Sequence, residues 1–170
     1  TILVNSFSKS HAVTGWRIGY ACGPEHVITA MENLQGHTTS NPCSISQYAA
    51  DASPMTHDGN FRKNVNEGLE DRLRIAMLIV DSMKSIRCAP AQGAFYIFLN
   101  VESKFGKSYQ GRVINSVGAL CELILSEANV AVVPGDAFGD PSGLRVSYAI
   151  GTKQVEEGLH RMKRLFDSLV

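Results

Sequence analysis

The sequence predicts an α/β fold in which a strand–loop–strand segment and a long helix precede a compact α+β unit. Residues 2–4 and 16–22 carry the patterns of strands and flank a polar, glycine-containing loop. From residue 60 to residue 83, apolar residues recur at steps of three or four, the spacing of one helix face. Strand and helix patterns then alternate through the remaining residues. A chain of 170 residues suffices for one core, or for one core and part of another.

The first strand, residues 2–4, is apolar throughout, which predicts that it is buried. A buried strand needs neighbours on both sides, and the residues that follow offer few parallel-type strands. The sequence opens on Thr1 with this strand already under way. We therefore expect the chain to be the C-terminal portion of a longer protein whose upstream residues complete the sheet.

Helices are predicted next. Pro24 and Glu25 suit a first helical turn, and Gly36 suits the end of that helix. A short helix is expected over residues 45–52, and the long helix over residues 60–83 can bridge two domains. The α+β unit is then predicted from strands at 94–99, 130–133 and 144–149 and helices at 113–128 and 155–169. The loop between residues 100 and 111 is expected to be exposed and mobile.

Composition excludes several classes of function. Sixteen basic residues balance sixteen acidic ones, so no long-range field gathers nucleic acid or an anionic membrane. No apolar run approaches the roughly 20 residues that span a bilayer, and no signal peptide opens the chain, which predicts a soluble, cytoplasmic protein. No metal site is predicted, because the cysteines and histidines lack ligand spacing. These residues are Cys22, Cys43, Cys88, Cys121, His11, His26, His37, His57 and His160.

A group of polar residues follows the first strand. Ser6, Ser8 and Lys9 come directly after it, and Arg17 lies eight residues beyond Lys9 within the run GWRIGY. A lysine amine that is partly desolvated beside other cations is a nucleophile suited to an aldehyde, while hydroxyls and a guanidinium suit a phosphate. The alternative is that Lys9 is a solvated surface lysine, as most single lysines are.

Arg145 interrupts the apolar strand LRVSY at residues 144–148. An arginine in such a strand needs an anion or must face water, and a planar guanidinium fits a carboxylate with two parallel hydrogen bonds. The alternative is an arginine on an edge strand that faces solvent.

These motifs resemble those of a known family. SFSK at residues 6–9, followed by TGWRIGY at residues 14–20, is similar to the cofactor-lysine signature of class I aminotransferases of pyridoxal-phosphate fold type I. The resemblance implies that Lys9 is the Schiff-base lysine, that Ser6 and Arg17 contact the cofactor phosphate, and that Ser8 is a further phosphate candidate. The run from VPGDAFG to LRVSY, residues 133–148, resembles the family's strand whose arginine binds the substrate α-carboxylate, which implies that role for Arg145. PAQGAFY at residues 90–96 resembles the entrance to the small domain, although a core position is favoured for Phe95 and Phe98.

The resemblance is strongest to bacterial aspartate aminotransferases. It implies pyridoxal 5'-phosphate as cofactor, amino transfer between an L-amino acid such as aspartate and a 2-oxo acid such as 2-oxoglutarate, and a homodimer with no nucleic-acid or membrane partner. It also implies that residues 1–58 end the large cofactor-binding domain, residues 59–85 form the interdomain helix, and residues 86–170 form the small α+β domain. This stretch alone is expected to be inactive.

Two alternatives remain open. A pyridoxal-phosphate lyase of the same fold would share Lys9, Arg17 and Arg145 but would release ammonia or a thiol. An aminotransferase-like effector-sensing domain of a transcription regulator would be attached to a basic DNA-binding segment.

Overall fold

The computed structural model describes residues 1–53 and 60–170, which divide into two compact units, Thr1–Asn66 and Glu67–Val170. The predicted domain boundary at 58/59 and His57 lie outside the described residues. The domain boundaries at 58/59 and 85/86 remain predictions. Each unit is described by itself.

The first unit begins with an antiparallel pair of strands, β1 (Leu3–Ser6) and β2 (Gly19–Cys22). Between them lie the short helix α1 (Phe7–Ser10) and a 3-10 turn, Thr14–Trp16. Gly19 pairs with Ser6, and a Cβ atom there would lie 2.6 Å from the carbonyl oxygen of Asn5. The close pairing of the two strands at this point therefore requires glycine.

The structure corrects two predictions in this segment. The first strand forms but is not buried, since Leu3 and Val4 are 50% and 74% exposed. An apolar pattern predicts a strand, whereas burial requires a second layer over its face. The second strand begins at Gly19 rather than at residue 16, because residues 14–16 form the 3-10 turn and Arg17 has a left-handed backbone, with φ 52° and ψ 50°.

In the described ranges the next helices are α2 (Glu25–Thr38), α3 (Ser44–Asp51) and α4 (Asn60–Asp81). Their existence and approximate bounds confirm the predicted helices. Ser46 of α3 is buried and donates a hydrogen bond to the carbonyl oxygen of Trp16, with an oxygen–oxygen distance of 2.9 Å. This bond ties α3 to the turn that precedes Arg17.

The second unit contains a four-stranded antiparallel sheet with spatial order β3-β4-β8-β7. A short β5–β6 pair, two further helices and the part of α4 from Glu67 onward complete it. In chain order the elements after α4 are β3 (Arg87–Cys88), β4 (Tyr96–Asn100), β5 (Ser108–Tyr109), β6 (Arg112–Val113), α5 (Val117–Ala128), β7 (Val133–Pro134), β8 (Gly143–Ser147) and α6 (Thr152–Asp167).

The two faces of this sheet differ. Ile97 pairs with Val146 and Leu99 with Leu144, and all four are buried in a core that also includes residues of α4, α5 and α6. The opposite face carries the intervening residues of the same strands, because successive side chains of a strand point to opposite sides. It carries Tyr96, Phe98 and Arg145. Phe95 packs against the core, whereas Phe98 lies across the sheet from it, which corrects the core position favoured for Phe98.

The connection over residues 100–111 is more ordered than predicted. It contains the 3-10 turn Glu102–Lys104 and the strand β5, and Lys104 is only 4% exposed. The Lys104 ammonium donates to the carbonyl oxygen of Lys84 at 2.9 Å and lies 5.5 Å from the ring centre of Phe166. Desolvation by burial lowers the pKa of this ammonium, and the neighbouring Lys107 adds to the effect.

Some predicted bounds also shift within the second unit. The strand expected over residues 130–133 is reduced to Val133–Pro134, and the helix expected from residue 113 begins at Val117. The Ser116 hydroxyl accepts a hydrogen bond from the Ala119 amide and thereby caps that helix. Among the described residues, no helix combines the length and apolar character needed to cross a bilayer.

Candidate functional site

The turn after β1 is organised by two serine hydroxyls. Ser6 Oγ accepts a hydrogen bond from the Ser8 amide at 3.1 Å and donates to Ser8 Oγ at 2.9 Å. Ser6 thereby caps α1, whose four residues include Lys9. Lys9 is exposed, so its amine is accessible from solvent in this unit.

Arg17 approaches the same turn from the other end of the loop. The Phe7 amide donates to the Ile18 carbonyl oxygen at 3.2 Å, which extends the β1–β2 pairing beyond Ser6. The Arg17 guanidinium donates one hydrogen bond, from Nη1 to the Thr14 carbonyl oxygen at 2.7 Å. That bond fixes the side chain and leaves the other guanidinium donors for a ligand.

The donor set of this turn suits a phosphate ester beside an aldehyde. Ser6 and Ser8 supply hydroxyls, Arg17 supplies a guanidinium, and Lys9 supplies a primary amine. The hydroxyls and the guanidinium donate hydrogen bonds to phosphate oxygens, and an amine condenses with an aldehyde. The four residues that the sequence singled out here belong to one unit and to the single connection between β1 and β2. They therefore fit pyridoxal phosphate in chemistry.

His11 was not singled out by the sequence. Its Nδ1 lies 2.8 Å from Ser10 Oγ, and its ring meets that of Phe7 edge-on, with 4.8 Å between ring centres. Within the described residues its Nε2 is a buried nitrogen with no hydrogen-bond partner. His11 also lines a cavity of about 230 Å³ next to α3, together with Ser46 and mainly apolar neighbours. A histidine in an unpatterned loop gives no sequence signal for such an environment.

Arg145 lies in the second unit on β8, between β4 and β7. It pairs with Phe98 on one side and with Val133 on the other, so it does not occupy an edge strand. This finding removes the edge-strand alternative. Arg145 is half-buried on the sheet face opposite the core.

Two aromatic rings contact the Arg145 guanidinium. Its central carbon lies 4.2 Å from the ring centre of Tyr96 and 4.5 Å from that of Phe138. A guanidinium that contacts aromatic rings at this distance gains a cation–π attraction. Neither ring was identified from the sequence as a neighbour of Arg145, because the contacts depend on strand register and on a 3-10 turn, Gly135–Phe138.

No acidic residue of the described ranges forms an ion pair with Arg145. In the part of the chain that the structure describes, Arg145 makes no hydrogen bond or ion pair with another residue. Asp140, in the connection before β8, accepts hydrogen bonds from the hydroxyl and the amide of Ser142, at 2.6 and 3.0 Å, and these bonds lower the pKa of Asp140. The Arg145 donors therefore remain available for an external carboxylate.

No group of three or more potential metal ligands occurs among residues 1–53 and 60–170. The four cysteines are free thiols: Cys22 and Cys43 are exposed, Cys88 is half-buried and Cys121 is buried.

Comparison with known proteins places these residues in a family context. The family model described as "Aminotransferase class I and II" matches residues 1–162. A probable aspartate/prephenate aminotransferase of Rickettsia bellii is 42% identical over 167 residues, which cover 98% of this chain and 42% of that protein. The chain thus spans about 42% of the length of this relative.

Solved structures agree with the sequence match. The aspartate aminotransferase of Rhizobium meliloti superposes with a TM-score of 0.93 at 37% identity, covering 100% of this chain and 42% of that one. The aspartate aminotransferase of Thermus thermophilus, solved with maleate, superposes with a TM-score of 0.85 at 30% identity, covering 97% of this chain and 41% of that one. These matches confirm the predicted α/β fold class of the pyridoxal-phosphate transferases. The chain belongs to the family of class I and class II aminotransferases.

Proposed function

We propose that the protein is a pyridoxal-phosphate-dependent aminotransferase that moves the amino group of an L-amino acid, aspartate or a similar one, to a 2-oxo acid such as 2-oxoglutarate. The observation that carries this proposal is the β1–β2 connection holding Ser6, Ser8, Lys9 and Arg17, in a chain of the aminotransferase family. Amine, hydroxyls and guanidinium in one short loop match a cofactor that carries both an aldehyde and a phosphate.

The proposal assigns each residue a separate role. Arg17 and Ser6, with Ser8 as a further candidate, would hold the cofactor phosphate, and Lys9 would hold the cofactor covalently through its ε-amine. When bound, pyridoxal phosphate supplies a carbonyl carbon that takes up the amino group and a ring that accepts electrons from the substrate α-carbon. The Lys9 amine, when free, would take the proton from the substrate α-carbon as a base and would then give it up as an acid at the carbon that carried the cofactor aldehyde.

Arg145 would bind the carboxylate of the amino acid and of the oxo acid. Both substrates carry a carboxylate next to the reacting carbon, so one guanidinium serves both halves of the exchange. The Thermus relative was solved with maleate, a dicarboxylate, which supports a preference for acids with two carboxylates. The relatives described above carry aminotransferase names, which favours transfer over the elimination that a lyase performs.

The central experiment uses the full-length protein. The protein is incubated with pyridoxal phosphate, reduced with borohydride and mapped by mass spectrometry. We expect the pyridoxyl label on Lys9, its loss in Lys9→Ala, and its retention in the control Lys153→Ala, which changes an exposed residue of α6. A label on another lysine would reject the assignment.

Transfer itself is tested with aspartate and 2-oxoglutarate. We expect glutamate and oxaloacetate in equal amounts without free ammonia; ammonia release would indicate a lyase instead. Arg145→Ala should raise KM for the amino acid by about thirtyfold or more, because a charge-assisted bidentate contact is lost. The control Arg112→Ala removes only an exposed ion pair with Glu122 and should leave KM unchanged.

We further propose a cytoplasmic homodimer, as the resemblance to the family implies. Sedimentation equilibrium should give twice the mass of one polypeptide, and a single-subunit mass at micromolar concentration would contradict the dimer. Cell fractionation that recovers the protein with membranes would contradict the compartment.

A further inference from the structure

The surroundings of Arg145 contain more than a cation on a strand. The Tyr96 and Phe138 rings both lie within 4.5 Å of the same guanidinium carbon. Within the described residues, these two rings make no ring contact with each other. Both ring centres therefore lie within cation–π distance of one guanidinium group.

Each ring is fixed by a different element. Tyr96 begins β4 and pairs with Ser147, which places it on the same sheet face as Arg145 and diagonally across from it. Phe138 ends the 3-10 turn that starts at Gly135. Neither contact needs a ligand, so the guanidinium is oriented before any substrate arrives.

The 3-10 turn is seated on the sheet through Phe98. A Cβ atom at Gly135 would meet the carbonyl oxygens of Asp140 and Gly143 and would lie 2.9 Å from Phe98 Cζ. A Cβ atom at Gly143 would collide with the Phe98 ring. The backbone therefore packs directly on this ring, which sits opposite Arg145 in the strand register. Phe98 thus packs against the residue at which the turn carrying Phe138 begins.

We propose that Tyr96 and Phe138 are positioning residues that clamp the faces of the Arg145 guanidinium and leave only its N–H edge for ligands. This inference rests on the proposed function. An edge-only approach favours two in-plane hydrogen bonds, and a planar carboxylate matches that geometry. The clamp also reduces the rotamer freedom that a long side chain would otherwise lose when the substrate binds.

The first test needs no catalytic activity. Protons attached to the carbon next to the Arg145 guanidinium should show upfield NMR shifts from the two rings, with signals identified by their loss in Arg145→Lys. Tyr96→Leu and Phe138→Leu should each move these signals toward random-coil values. Tyr96→Phe keeps the ring and should leave them in place. The control Tyr109→Leu should also leave them in place, because the Tyr109 hydroxyl donates to Glu127 and its ring does not contact Arg145.

Titration with maleate, a planar dicarboxylate, then measures positioning. We expect Tyr96→Leu and Phe138→Leu each to weaken maleate binding by roughly threefold to thirtyfold, the range that cation–π contacts contribute. Tyr96→Phe and Tyr109→Leu should bind maleate as the parent does. Unshifted Arg145 signals in the parent, or unchanged maleate affinity in both leucine variants, would overturn the clamp.

Kinetics separate the clamp from the proposed function. In a parent that transaminates, the leucine variants should raise KM for both substrates by the same factor as they raise the maleate Kd, with kcat changed by less than about threefold. A loss of kcat and of thermal stability with unchanged KM would show a merely structural role and would also overturn the clamp. A parent that binds maleate at Arg145 but transaminates nothing would reject the proposed function and leave the clamp supported.

Discussion

The two thiols Cys43 and Cys121 illustrate how local contacts set reactivity. The exposed Cys43 sulfur accepts hydrogen bonds from the backbone amides of Ser46 and Ile45. These bonds, with that from Ser46 having the larger effect, lower the pKa of the thiol. Burial, with the charge of Asp136 added, raises the pKa of Cys121 to about 11. The thiolate is the reactive form, so these environments act in opposite directions.

We therefore expect iodoacetamide at pH 7.5 to alkylate Cys43 at least about 100 times faster than Cys121. At that pH a thiol of pKa about 11 is thiolate in roughly one molecule in 3,000, and burial also restricts access to Cys121. Peptide mass spectrometry over time gives both rates. After unfolding in urea the two rates should converge, and equal rates in the folded protein would contradict these environments.

Individual residues were predicted unevenly from the sequence. Lys9 and Arg17 were identified because a short motif brings them together, and Arg145 because it interrupts an apolar strand. Tyr96 and Phe138 were not identified as neighbours of Arg145, since their contacts follow from cross-strand register and from the seating of a 3-10 turn. Sequence spacing does not encode either relation between residues so far apart along the chain.

Helix α5 offers a direct test of packing at the scale of one element. Leu120 is 0% exposed and Leu125 is 56% exposed on the same helix. Leu120→Ala should lower the free energy of unfolding by about 2–5 kcal/mol, because it removes buried methyl groups and leaves a cavity. Leu125→Ala should change it by less than about 0.5 kcal/mol. Urea denaturation of both variants gives the comparison, and equal losses would contradict the orientation of α5.

Strand β8 depends on glycine where it begins. Gly143→Ala should destabilise the second unit by about 1–3 kcal/mol, because the added methyl group collides with the Phe98 ring. Gly118→Ala is the matched control, since its Cβ would have its nearest contact, Ser116 Oγ, at an ordinary 3.9 Å. That control should be neutral or slightly stabilising, because alanine has a higher helix propensity than glycine. Thermal unfolding measures both variants. Equal losses of stability in Gly118→Ala and Gly143→Ala would refute this packing.

Helices and strands were predicted better from the sequence than the burial of their residues. The 3.6-residue period identified α4 and α6, and alternation identified β4 and β8, because one face of each packs on the core. Sequence patterns did not predict burial correctly where no face of an element packs on the core. The pattern over residues 2–4 predicted burial that the described structure lacks, and residues 100–111 were expected to be an exposed loop although Lys104 is buried there.

At the scale of the whole molecule, burial is distributed unequally. Within the described ranges, every buried hydrophobic residue falls between Ala76 and Leu169, in the second unit. The one buried residue of the first unit is Ser46, again among described residues only. Because stability follows buried apolar area, the two units should differ strongly in local stability.

Hydrogen exchange on the 170-residue chain tests this difference. Amides of β4, β8, α5 and α6 should exchange slowly, with protection close to that of global unfolding, and amides of β1, β2 and α2 should exchange much faster. Exchange followed by peptide mass spectrometry resolves the two sets. Equal protection in both units would contradict the unequal distribution of the core.

The burial of Lys104 has a practical consequence for chemical footprinting. Its amine lies below the surface on the Lys84 carbonyl, so acylating reagents and trypsin cannot reach it while the second unit is folded. Burial also lowers the pKa of this amine, and that effect ends when the residue becomes exposed. Acylation of Lys104 therefore reports unfolding of the second unit. In a denaturation series, the acylated Lys104 peptide should appear at the denaturant concentration at which that unit unfolds, and no probe has to be introduced.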